Sequence, residues 1–148
     1  MDVLKFLKCI RNERLEIISL KETRDDIYYS LMPSGIRYDL DKVQTSPVDR
    51  MPAVAGNLAE IQTILDGRIE KLSEDLVLAN RVIDQVPTAE CRELLSLRYL
   101  AGGRKPLSWT DVAERMDYSV DHVQGKLHGK AINEARTIWK KENGGQIP

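Results

Sequence analysis

The chain has 148 residues, enough for one or two small domains with a real core. Aromatic residues are only 5% and charged residues 30%, a balance that favours helices with charged outer faces over a β-sandwich. The net charge of −1 gives no global basic field, and no apolar run approaches the ~20 residues of a membrane span.

Lys5, Lys8 and Arg11 interrupt the N-terminal apolar residues, so no signal peptide is read there and a soluble, cytoplasmic protein is expected. The distribution of charge says more than its sum. Residues 1–88 carry 12 Lys+Arg against 15 Asp+Glu, and residues 89–148 carry 10 against 8. Within 119–141 the tally is 5 against 2, so positive charge gathers toward the C-terminal part. Cys9 and Cys91 lie in different helical patterns and read as small buried hydrophobes rather than a disulfide framework.

From about residue 2 to 32 there is no Gly or Pro. Phe6, Ile10, Ile17, Leu20, Ile27 and Leu31 follow steps of four and three along it, with Glu13 and Arg24 filling the two gaps and Leu7 and Tyr28 widening the stripe. This predicts a long amphipathic helix, ~45 Å if unbroken. Pro33-Ser34-Gly35 ends it, and 34–48 reads as a loop anchored by Tyr38 and Val43. Ser46, Pro47 and Asp49 have the spacing of a capping box with Asp in place of Glu, Pro47 sitting at the first helical position.

A second long helix is predicted over about 49–86. Its stripe is Val54, Leu58, Ile61, Leu65, Ile69, Leu72, Leu76, Ala79, Ile83 and Val86. Folding the two helices back on one another as an antiparallel hairpin would hide both stripes, and a second copy of the long helices in a homodimer would do the same. Pro87 breaks the helix, and Thr88 is placed to cap the next. That helix, about 89–101, offers Cys91, Leu94, Leu95 and the stem of Arg98 to a core and stops at Gly102-Gly103. Arg104 and Lys105 follow in a basic loop.

Ser108 is placed to cap a helix in which Trp109, Val112, Ala113 and Met116 share one face. Asp117-Tyr118 breaks the pattern and Ser119 restarts it. Val123, Leu127 and Ala131 then recur every four residues, and Asp121, His122, Gln124, Gly125, Lys126, His128 and Lys130 are left for the outer face. Two short helices, a tight turn and a polar, net-basic second face are the pattern of a helix-turn-helix laid in a major groove. Ser119, Asp121, His122, Gln124, Gly125, Lys126, His128 and Lys130 are therefore the expected DNA-facing residues. Arg104, Lys105 and Arg115 are expected on the DNA backbone. The last helix runs on through Trp139, and residues 143–148 are expected to be a disordered tail.

Catalytic and metal chemistry are not expected. His122 and His128 are six apart and have no Cys or acidic residue at ligand spacing, and no nucleophile pairs with a base. No cofactor is implied. Gly102-Gly103-Arg104-Lys105 follows a helix and lacks the spacing of a nucleotide-binding loop.

In order and spacing, the chain resembles phage-encoded late-transcription regulators of the ArpU/RinA type, whose C-terminal part is similar to sigma-factor region 4. The likeness is carried by residues 94–100 (LLSLRYL), Ser108-Trp109, Val112-Ala113, Met116, Tyr118-Ser119, His122-Val123, Leu127-His128 and Ala131. Upstream, Tyr38, Val43-Gln44, Ser46-Pro47 and Asp49-Arg50-Met51 look like the loop before the long helix of such proteins. The resemblance implies a prophage-encoded DNA-binding activator of late genes in a bacterial host, and host RNA polymerase is a further candidate partner. Residues 103–107 lengthen the connection before Ser108, and Gly125 and Gly129 stand where long polar side chains are more usual.

The expectation is thus an all-α protein: a helical hairpin over 1–87, then a three- to four-helix helix-turn-helix domain over 88–142. Its partner would be double-stranded DNA, with no membrane. Two alternatives share these features. One is a small terminase subunit, and the other is a helical adaptor that binds RNA polymerase without touching DNA.

Overall fold

The computed structural model describes residues 1–31, 47–101 and 105–143. The protein is all-α, with no strand among the described residues. The helices are α1 (Val3–Leu31), α2 (Pro47–Asp84), α3 (Ala89–Leu95), α4 (Trp109–Met116) and α5 (His128–Glu142). Two π-helical segments extend them: Ser96–Leu100 continues α3, and Asp121–Leu127 leads directly into α5. The loop over 34–46, the Ser46 cap, Gly102-Gly103-Arg104 and the tail from 144 lie outside the described residues. Pro47 is the first residue of α2, where a missing N–H costs nothing. None of the described helices is long and apolar enough to cross a membrane.

The chain forms two compact units, residues 1–16 with 70–148, and residues 17–69. The boundary that the sequence suggests, between 87 and 88, falls within the first of these units. The reason for the difference is the core. Val3, Phe6, Leu7 and Ile10 of α1, with Ala79, Val82, Ile83 and Val86 from the end of α2, share one buried cluster with α3, α4 and α5. The C-terminal helices are too short to enclose Leu94, Leu95 and Val112 alone, all of them 0% exposed. Each such side chain contributes roughly 1.5–3 kcal/mol when fully buried.

Polar contacts fix the start of α1 in the first unit. Asp2 takes a two-pronged ion pair from Arg136 of α5, at 3.0 and 3.1 Å, which holds its carboxyl below the usual range. Trp139 packs its ring on Phe6 at 4.8 Å and donates Nε1–H to the Met1 carbonyl at 2.9 Å. Further along α1, Arg14 donates to the carbonyls of Leu100 and Ala101 at 2.8 and 2.7 Å, satisfying acceptors that the end of the Ser96–Leu100 segment leaves open. Thr88 stands at the N-cap of α3 as expected, but its hydroxyl does not cap. It donates instead to Glu134 of α5 at 2.6 Å. Cys91 is buried, whereas Cys9 is exposed, because it lies off the α1 face that carries Phe6, Leu7 and Ile10.

In the second unit Ile17 and Leu65 are buried, and Arg24 donates to Gln62 at 3.0 Å. Tyr28 and Ile69, expected within the apolar stripes, are 52% and 37% exposed, and Tyr29 and Ile64 are exposed too. Burial here takes in only part of each apolar stripe, and the margins are exposed.

Candidate nucleic-acid interface

Helix α4 is bounded by two local motifs written in its sequence. At its start the Ser108 hydroxyl accepts from Asp111 N–H (3.2 Å) and the Asp111 carboxylate from Ser108 N–H (3.3 Å), a reciprocal capping box. At its end Tyr118 N–H donates to Ala113 O (3.0 Å) and Asp117 N–H to Glu114 O (3.2 Å). That is a Schellman motif, and it places Asp117 in the left-handed region at φ 62°, ψ 40°. Ser119 then restarts the chain, its hydroxyl accepting from His122 N–H at 3.1 Å.

Val112, Ala113 and Met116 of α4 face Val123, Leu127 and Ala131 within the buried cluster. Their burial leaves Asp121, Gln124, Gly125, Lys126 and Lys130 exposed on the other side, with Ser119 exposed at the turn. Lys105 and Arg115 are exposed as well, and Arg104 lies outside the described residues. At Gly125 and Gly129 an added Cβ would meet nothing within 4 Å, so packing within the chain does not demand glycine there. His122 is half-buried, its ring against Tyr118 at 4.7 Å, and Tyr118 in turn donates to Glu90 of α3 at 2.5 Å.

His128 differs from the expectation: it turns inward instead of joining the outer face. Its Nε2 lies 2.7 Å from the Tyr99 hydroxyl, and its ring meets the Trp109 ring edge-on at 4.8 Å. The cause is the π-helical geometry before it. In an α-helix a residue five positions beyond Val123 lies about 140° round the axis, on the opposite face. In Asp121–Leu127 the hydrogen bonds span five residues, and His128 N–H itself reaches Val123 O. Each turn takes in one more residue, which brings His128 round toward the buried face of Val123. The Ser96–Leu100 segment does the same for Tyr99, which is 2% exposed and five positions beyond Leu94.

Burial, with the charges of Arg98 and Lys8, pushes the His128 imidazole down to about 4, so the ring is neutral at pH 7. Arg98 lies over the Trp109 ring, 4.2 Å from its centroid. Beside these groups opens a cavity of about 440 Å³, with Tyr99, Trp109, Gln124 and His128 on its walls. Lys8, Arg11 and Asn12 of α1 and Arg98 supply the rest. Gln124, placed by its spacing on the outward face, thus also borders this cavity. Sequence reasoning found none of the α1 members, because nothing local connects Arg11 to Leu107, whose carbonyl it reaches across 96 positions. No protein-family model, curated protein or solved structure matches the chain.

Proposed function

We propose that this protein is a sequence-specific DNA-binding regulator of transcription in which α4 and the segment entering α5 act as a helix-turn-helix. The observation that carries the reading is the division of the second helix into two faces. Val123, Leu127 and Ala131 are buried, while Lys126 and Lys130 are exposed beside two glycines that present no side chain to an approaching backbone. Exposed cations next to an unobstructed helix surface suit a phosphate backbone flanking a groove. Lys105 and Arg115 add to the same chemistry. The resemblance to ArpU/RinA-type regulators gives the biological setting, activation of phage late genes with host RNA polymerase as a further partner.

Affinity for duplex DNA measured against salt concentration tests the reading. Four cations on phosphates predict a log–log slope of roughly −3 to −4. A flat line, or no binding at low salt, removes DNA from the proposal and favours an adaptor that holds polymerase alone.

Exposed Tyr28, Tyr29 and Ile64 in the second unit favour self-association through the long helices. Sedimentation should then give a dimer. A ring of many copies would turn the reading toward a small terminase subunit.

A further inference from the structure

Three cations border the cavity beside α4, and no carboxylate lines it among the described residues. Three arginines of this unit have acceptors of their own: Arg136 has Asp2, Arg14 has two carbonyls, and Arg92 has the Val86 carbonyl at 2.6 Å. Arg11 and Arg98 both donate to the Leu107 carbonyl, at 3.3 and 3.0 Å, and Arg98 also meets the Tyr99 side chain. The Nε of each is buried with no hydrogen-bond partner among the described residues. Both arginines are half-buried, and neither has a carboxylate partner among the described residues, so part of their hydration is lost without a counter-charge gained. Burial and the nearby Arg11 charge both pull Arg98 below its ordinary pKa. Asn12 and Gln124 add amide groups to the same walls.

We propose that this cavity is a binding site for a phosphate-type oxyanion, held by Lys8, Arg11 and Arg98. Such an anion supplies the counter-charge the two guanidiniums lack, and guanidinium–phosphate contacts are among the stronger charge-assisted hydrogen bonds. The cavity has room for more than the anion, which lets the phosphate be carried on a substituent, either a small phosphate ester or a DNA backbone. The small-molecule source is independent of the DNA-binding reading, and the backbone source rests on it.

Pyrophosphate is the probe, titrated into the full chain against sodium chloride at matched ionic strength. The His128 ring is followed by NMR and Trp109 by fluorescence. The expected result is saturable binding, with His128 becoming easier to protonate as the anion enters. Lys8→Gln and Arg11→Gln should each weaken pyrophosphate about tenfold, and Lys71→Gln on α2 should not. Lys8 is exposed, so its variant carries the test even if Arg11→Gln fails to fold. If pyrophosphate also displaces duplex DNA and Lys8→Gln weakens the duplex, the backbone is the source. If pyrophosphate binds while Lys8→Gln leaves duplex affinity unchanged, the source is a small phosphate. A response that follows ionic strength equally in chloride and pyrophosphate overturns the site, whether or not the duplex binds.

Discussion

Tyr99 and His128, 29 positions apart, are joined by a 2.7 Å hydrogen bond between the phenolic oxygen and Nε2. The bond ties the end of the α3 extension to the first residue of α5. The charged groups acting on the ring, Arg98 and Lys8, are both cations, so nothing there rewards protonation.

A pH dependence follows. The folded imidazole titrates at about 4 against 6.5 for the ordinary side chain. Between those values the unfolded chain binds the proton and the native chain does not, so stability is full above about pH 6.5 and falls as pH drops toward 4. Discounted for the solvent that reaches a half-buried ring, the loss is about 1–2 kcal/mol. Urea unfolding of wild type and His128→Gln at pH 7.5, 6.0 and 4.5 isolates it from the carboxylates. The stability gap between the two proteins should narrow as pH falls. A constant gap would mean that the ring titrates alike in both states.

The same pair marks where the sequence stopped being legible. Apolar steps of three and four located α4 and the buried line Val123, Leu127, Ala131, and serines at 108 and 119 marked the helix starts that they do cap. Those signals are local and assume α-helical turns. Tyr99 and His128 take their places through hydrogen bonds spanning five residues, which no period of 3.6 anticipates. Arg11 and Lys8 join the cavity through the packing of Phe6, Leu7 and Ile10, so their role depends on a contact far away in sequence. Ile69 and Tyr28 show the converse. Their spacing is right, yet both stay exposed, because a period alone does not say which part of a stripe another surface covers.

Leu65 tests the second unit. It is 0% exposed, so Leu65→Asp places a carboxylate where water was excluded. The expected cost is several kcal/mol, on the order of 3 or more, accompanied by loss of helical signal on mild heating. Melting indistinguishable from wild type would mean that this position is solvated in solution.

Asp117 offers a change in the opposite direction. It holds φ 62° at the end of α4, a conformation that costs a side chain with a Cβ about 1–2 kcal/mol and glycine little. Asp117→Gly should therefore raise stability by roughly 0.5–1 kcal/mol, after the entropy glycine adds to the unfolded chain is subtracted. Denaturant midpoints at constant slope would register the gain. A loss would show that the Asp117 carboxylate contributes more than its backbone strain costs.

The glycines of the second helix separate what the fold needs from what a partner needs. Apart from the adjoining backbone of its own helix, neither Gly125 nor Gly129 has an atom within 4 Å of where a Cβ would stand. Replacing either with alanine removes a helix penalty of about 0.5–1 kcal/mol without a clash, so both single variants should be more stable than wild type. If a DNA backbone lies against this surface, the added methyl groups meet it, and duplex affinity falls while stability rises. Lys130→Gln serves as the reference: removing one phosphate contact should lower affinity for all sequences alike and reduce the salt slope by about 0.9. Denaturant unfolding and duplex titration of the three variants read both quantities. Alanine variants that gain stability and keep full affinity would mean that the face bearing Gly125 and Gly129 stays clear of the duplex, leaving phosphate contact to Lys105, Arg115 and the cations of the α1 cavity.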